Sequence, residues 1–90
     1  MARQTFSIGQ IVATPGVLKI LSQQQIATAL QRHARGDWGD VGPDDRHEND
    51  RAVEEDGRLL SAYHAADGTK FWIITEWDRS ATTILLPDEY

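Results

Sequence analysis

Apolar positions follow two different rhythms along this chain, spacings of three and four residues up to Gly36 and short alternating or continuous runs from Arg58 onward. Before the first rhythm begins, Thr5 to Ala13 (TFSIGQIVA) is rich in β-branched and aromatic residues and reads as a strand, with Gly9 interrupting it as a bulge or bend would. Thr14-Pro15 is a helix start, because Thr can cap the first amides and Pro has no N–H to leave unpaired there. The spacing then predicts a short helix over Pro15 to Leu21 with Val17, Leu18 and Leu21 facing the core. Ser22 to Gln25 fits a reciprocal capping box. From it a second helix runs to about Arg35 with Ile26, Ala27, Leu30, His33 and Ala34 on one stripe, and Gly36 ends it as a left-handed residue.

Pro43-Asp44-Asp45 opens a third helix, with acids in the first turn where the macrodipole favours them and Asp44 or Asp45 available as a cap. Gly57 supplies its stop. Ala52 and Val53 are its clear apolar contacts, so it is a surface helix, held down by Trp38 and Val41. Arg58 to His64, Lys70 to Thr75 and Ala81 to Leu86 are β-like runs. They read as a meander whose first turn, Ala66-Asp67-Gly68, uses Gly68 for its positive φ. The middle run is apolar on both faces. Helices are expected to cover one face, with the first strand or a second copy of the chain covering part of the other, which makes a homodimer through the sheet a candidate assembly. Glu76 to Ser80 is a longer polar turn, and Asp88 to Tyr90 after Pro87 is a tail expected to fray. The fold class is α+β: an N-terminal strand and two or three helices packed on a small antiparallel β-meander, in one domain spanning residues 1–90.

Composition narrows the functional classes without naming one. The chain has 90 residues, 40% hydrophobic and 26% charged, in keeping with a single globular core. Without cysteine, it has no disulfide framework, thiolate metal site or cysteine nucleophile. No apolar run approaches the roughly 20 residues that span a bilayer, and Met1 to Gln10 lacks the layout of a signal peptide. A cytoplasmic protein without a membrane partner is the expectation. Fourteen acidic against nine basic residues give a formal charge of −5, which opposes nucleic-acid binding.

Chemistry-bearing residues collect in His33 to Asp40 (HARGDWGD) and in the turn after Thr75. His33 near a helix C-terminus is a candidate acid or base, or else a hydrogen-bonded packing residue of the stripe that holds Ile26 and Leu30. Asp37, Asp40, Asp44, Asp45 and Glu48 are dense, but Trp38 and Gly39 occupy places where an EF-hand needs ligands. No metal site is expected, nor a cofactor. Asp37 and Asp40 instead suit the turn's own amides. Trp38 is either a ligand platform or a plug for the turn, and Trp77 is the tryptophan expected at the surface. In Asp78-Arg79-Ser80, Arg79 is placed to clamp a carboxylate or phosphate, or to pair with a helix acid. The candidate catalytic residues are His33, Arg58 and Arg79. Arg35, Asp37, Trp38, Asp40, Asn49, Trp77, Asp78 and Arg79 form the candidate binding set.

ATPG at 13–16, HARGDWGD at 33–40, END at 48–50, GRLLSAY at 57–63 and DGTKFWIITEWDRSATTILLP at 67–87 together resemble a family of small bacterial proteins carried on plasmids and other mobile elements. The resemblance implies a bacterial, cytosolic, horizontally mobile protein and brings no activity or catalytic residues with it. The order of elements is also similar to the small ribonuclease toxins of the barnase and RelE type. That likeness implies RNA cleavage only if His33, Arg58, Tyr63, Lys70 and Thr82 converge. The leading expectation is a non-enzymatic protein-binding or regulatory module. A metal-independent ribonuclease and an acidic inhibitor of a nucleic-acid enzyme are the alternatives, the last requiring Asp44, Glu48, Glu54 and Glu55 on one surface.

Overall fold

The computed structural model describes residues 6–90. Its elements are β1 (Gln10–Ala13), α1 (Pro15–Ile20), α2 (Gln23–Ala34), α3 (Pro43–Glu55), β2 (Leu59–His64), β3 (Lys70–Thr75) and β4 (Ala81–Leu85), followed by one 3₁₀ turn (Pro87–Glu89). The class is α+β. The sheet, however, is mixed and its order is β1-β4-β3-β2, so the expectation of a purely antiparallel meander is corrected. β2, β3 and β4 pair antiparallel in sequence, whereas β1 adds to β4 in parallel, Ile11 opposite Thr82 and Ala13 opposite Ile84. Three helices and two strands separate β1 from β4, and a parallel pair needs such a long crossover. β1 therefore extends the sheet and does not cover a face of it.

Local signals place most helix ends. Thr14 caps α1 by accepting the Val17 amide, and Ser22 and Gln25 form the reciprocal box that starts α2. Gly36, at φ +84°, follows α2 as expected. The core between helices and sheet is built from Val17, Leu21, Ala29, Tyr63, Phe71, Ile73 and Ile84, and a second cluster joins Trp38, Ala52 and Leu59 with Phe6, Val41 and Val53 against it. Leu18 departs from the expected pattern: it is 59% exposed, because a helix of six residues has room to bury only one narrow edge. Ala27 is likewise exposed, and Ala29 takes its place in the stripe.

Three further expectations are corrected. The first-turn acids of α3 do not cap it: Gly42 is the N-cap, without a side-chain bond. The left-handed residue after α3 is Asp56 (φ 59°), with Gly57 next to it because a Cβ there would lie 2.8 Å from that of Ala52. The C-terminal tail is pinned. Glu89 accepts from the Thr14 hydroxyl at 2.6 Å and from the amides of Gly16 and Leu86, and Tyr90 packs edge-on against Trp72 while its hydroxyl meets Arg58 at 2.6 Å. No helix among the described residues is long and apolar enough to cross a membrane.

Candidate functional site

Strand alternation puts Ser61, Thr75 and Thr82 on the face of the sheet that the helices cover, and the stripe of α2 delivers His33 onto them. All four are fully buried. Nδ1 of His33 lies 2.6 Å from Ser61 Oγ, and Nε2 lies 2.8 Å from Thr75 Oγ1. Thr75 Oγ1 is in turn 2.7 Å from Thr82 Oγ1, which donates to the Ile8 carbonyl at 2.7 Å. That last bond fixes the direction of the whole chain. A hydroxyl has one proton, so Thr82, having given its proton to a carbonyl, accepts from Thr75. Thr75 then accepts from Nε2–H, and the bare Nδ1 accepts from Ser61. His33 is thus a neutral imidazole in one tautomer, its ring near-perpendicular to those of Phe6 and Trp38 at centroid distances of 5.3 and 5.6 Å. Burial, with the Arg79 cation adding to it, drives its pKa down to about 4.

A hydroxyl at hydrogen-bonding distance from an imidazole is the layout of a nucleophile and its base. Here neither group reaches solvent, and the second ring nitrogen is spent on Thr75. His33 is a hydrogen-bonded packing residue. Sequence reasoning named the histidine but not its partners. Their signal was present: three hydroxyl residues on the buried face of strands need partners, and a polar residue on the apolar stripe of a helix supplies them.

The HARGDWGD turn serves the edge of the sheet. β2 is an edge strand, and its outward backbone groups are all taken between Leu60 and Ala62. The Asn49 side chain accepts from the Leu60 amide at 3.1 Å and donates to the Leu60 carbonyl at 2.8 Å. Ala62 donates to the Trp38 carbonyl at 3.0 Å and accepts from the Asp40 amide at 2.7 Å. Gly39, at φ +76°, passes so close that a Cβ would strike the Ala62 carbonyl oxygen. Trp38 is the plug of the two readings, 1% exposed with its indole N–H on Asp50. This closes β2 to edge pairing with a second copy along that stretch. Asp37 accepts from Arg32 at 2.7 and 3.3 Å and from the Gly39 amide, with Arg35 at 3.8 Å; the Arg32 hydrogen bond foremost lowers its pKa. Asp40 does not cap the turn's amides with its side chain. It pairs with His64 at 2.9 Å, which lowers the Asp40 pKa and raises that of the imidazole.

Arg79 is a structural latch. At φ 62° it directs its guanidinium to the carbonyls of Ala52 at 2.7 Å and Gly57 at 2.6 Å, closing the C-terminal end of α3, and lies 5.6 Å over the Phe6 ring. A cation favours a helix C-terminus. Its partners are backbone carbonyls and not a helix acid. Asp78 shapes the same turn by accepting the Ser80 amide at 3.0 Å, while Trp77 is 64% exposed as expected. Arg58 lies on the far face of the sheet, where it stacks on Tyr90 beside Leu60, Trp72 and Ile74. His33, Asp37, Asn49 and Arg79 do not line one pocket, and the five residues a ribonuclease reading requires do not meet at an open site. On α3, Arg51 sits between Glu48 at 3.8 Å and Glu55 at 3.9 Å, breaking the acidic stripe that a phosphate mimic needs.

What remains open is a cleft of about 560 Å³ between α2 and the β2–β3 hairpin. Leu21, Ala29, Tyr63 and Phe71 contribute apolar surface, and Gln24, Gln25, Thr28, Arg32 and His64 supply polar groups. A second hollow of about 430 Å³ adjoins it, sharing Arg32, Tyr63 and His64 and reaching Asp37, Asp40 and Arg46. Tyr63 is nearly buried, its hydroxyl donates to the Asp37 carbonyl, and burial pushes its pKa up to about 12. No three His, Asp or Glu side chains among the described residues are placed to hold a metal ion. Comparison with protein-family models, curated proteins and solved structures gives no match for this chain.

Proposed function

We propose that this chain is a non-enzymatic protein-binding module of a small bacterial mobile-element protein, acting in the cytoplasm through the cleft between α2 and the β2–β3 hairpin. The observation that carries the reading is the composition of that cleft. It combines an apolar floor with hydrogen-bonding side chains on its walls, the usual make-up of a recognition groove. In a chain with 14 acidic residues, no Asp or Glu is among the described residues that line it. The buried state of the Ser61–His33 pair and the structural engagement of Arg79 favour this reading over a ribonuclease.

Thr28 is exposed on the wall of the cleft, so Thr28→Arg fills the groove without disturbing the core. Affinity capture from bacterial lysate at low salt is expected to yield a discrete protein with the wild type and to lose it with Thr28→Arg. Equal capture by both would reject the cleft as the binding surface.

A further inference from the structure

Arg32 is fixed in two directions and still has hydrogen-bonding capacity in hand. Nε and Nη2 hold the two oxygens of Asp37, and the guanidinium carbon lies 4.5 Å from the centre of the Tyr63 ring. A guanidinium carries five N–H donors. Two are engaged by Asp37, so the donors on Nη1 and the second on Nη2 remain. Arg32 borders both hollows. Preorganised in this way, the side chain loses little freedom when it takes a further partner.

Along the same wall of the cleft, Gln24, Thr28 and Arg32 follow one another at steps of four residues. Four residues of α-helix advance about 6 Å. Two residues of an extended chain advance about 6 to 7 Å. An extended peptide lying along α2 would therefore meet one of these three side chains at every second residue, the alternation by which extended segments are read.

We propose that the cleft takes an extended segment of a partner protein, four to five residues long on this spacing, which presents a carboxylate to Arg32 while Gln24 and Thr28 hold its backbone. The proposal rests on the cleft being the protein-binding surface and adds the chemistry and polarity of what it binds. No Asp or Glu is among the described residues lining the cleft itself, and the nearest carboxylate, Asp37, is held on the Nε and Nη2 side of the guanidinium. Asp37 already balances the charge of Arg32, so the free donors suit a monoanion better than a phosphate dianion.

The test is a titration of the full chain, followed by the backbone amide resonances in NMR, with acetyl-tetraalanine bearing a free C-terminal carboxylate, the same peptide as its amide, and inorganic phosphate. The acid peptide is expected to shift Gln24, Thr28 and Arg32 saturably and at least tenfold more tightly than the amide. Arg32→Gln should bring the two peptides to equal affinity. Thr28→Ala, which leaves the Arg32–Asp37 pair intact, should weaken both and keep the preference for the acid. Equal binding of acid and amide by the wild type would overturn the carboxylate assignment while leaving the cleft a peptide site. Tighter binding of phosphate than of the acid peptide would overturn the choice of ligand. Absence of any shift in the cleft with all three probes would overturn both this proposal and the reading beneath it.

Discussion

Ser61 Oγ lies 2.6 Å from Nδ1 of His33 in a core where neither side chain meets solvent. The pair has the spacing of catalytic chemistry and the surroundings of a structural bond. Its consequence is stability: truncation removes the acceptor of the Ser61 hydroxyl and the donor to Thr75, which keeps only its bond to Thr82, and opens a cavity. His33→Ala is expected to cost about 2 to 4 kcal/mol, measured by urea denaturation. A loss below about 0.5 kcal/mol would contradict the role assigned to the imidazole.

The same residue makes stability depend on pH. The imidazole titrates near its ordinary 6.5 in the unfolded chain and at about 4 in the folded one, so between these values the unfolded state binds more protons. The His33 contribution is complete above about pH 6.5 and is lost as pH falls toward 4, amounting to about 3 kcal/mol. Asp37 and Asp40, whose values are lowered, add losses at still lower pH. His64 acts in the opposite sense, its stabilisation being lost as pH rises through its raised pKa, but it is a surface group. Urea midpoints from pH 7.5 to 4 should fall for the wild type and stay flatter for His33→Gln.

Asn49 holds the edge of β2 by pairing with both backbone groups of Leu60. Asn49→Asp replaces the donating NH₂ with an oxygen facing the Leu60 carbonyl. The variant should lose about 1 to 3 kcal/mol in thermal or urea unfolding and show faster amide exchange at Leu60. Unchanged exchange there would show that the latch is unnecessary.

Arg79 closes the end of α3 from a different element, through the Ala52 and Gly57 carbonyls. Arg79→Ala should lower stability by about 1 to 3 kcal/mol and raise hydrogen exchange over the last turn of α3 more than in α2. Equal exchange in the two helices would place the effect elsewhere.

Local rules made the helices legible: the Ser22–Gln25 box, the Thr14-Pro15 start and Gly36 are short-range signals, and the structure uses each. The position of β1 was not legible, because pairing Ile11 with Thr82 is decided by contacts 71 residues apart that no local pattern encodes. The candidate residues were visible as residue types, and their roles were not. Arg79 read as a ligand clamp or the partner of a helix acid because the carbonyls it caps are 22 and 27 residues away. The cleft was missed almost entirely. Gln24 and Thr28 are ordinary polar residues of a solvated helix face until the β2–β3 hairpin is folded against them.

The most direct test of binding through the cleft is photo-crosslinking from two positions of the same folded chain in bacterial lysate. A photoreactive residue at Thr28, inside the cleft, is predicted to give a discrete crosslinked protein, and one at Glu48, on the outer face of α3, is predicted to give none. A discrete product from Glu48 with none from Thr28 would contradict the account.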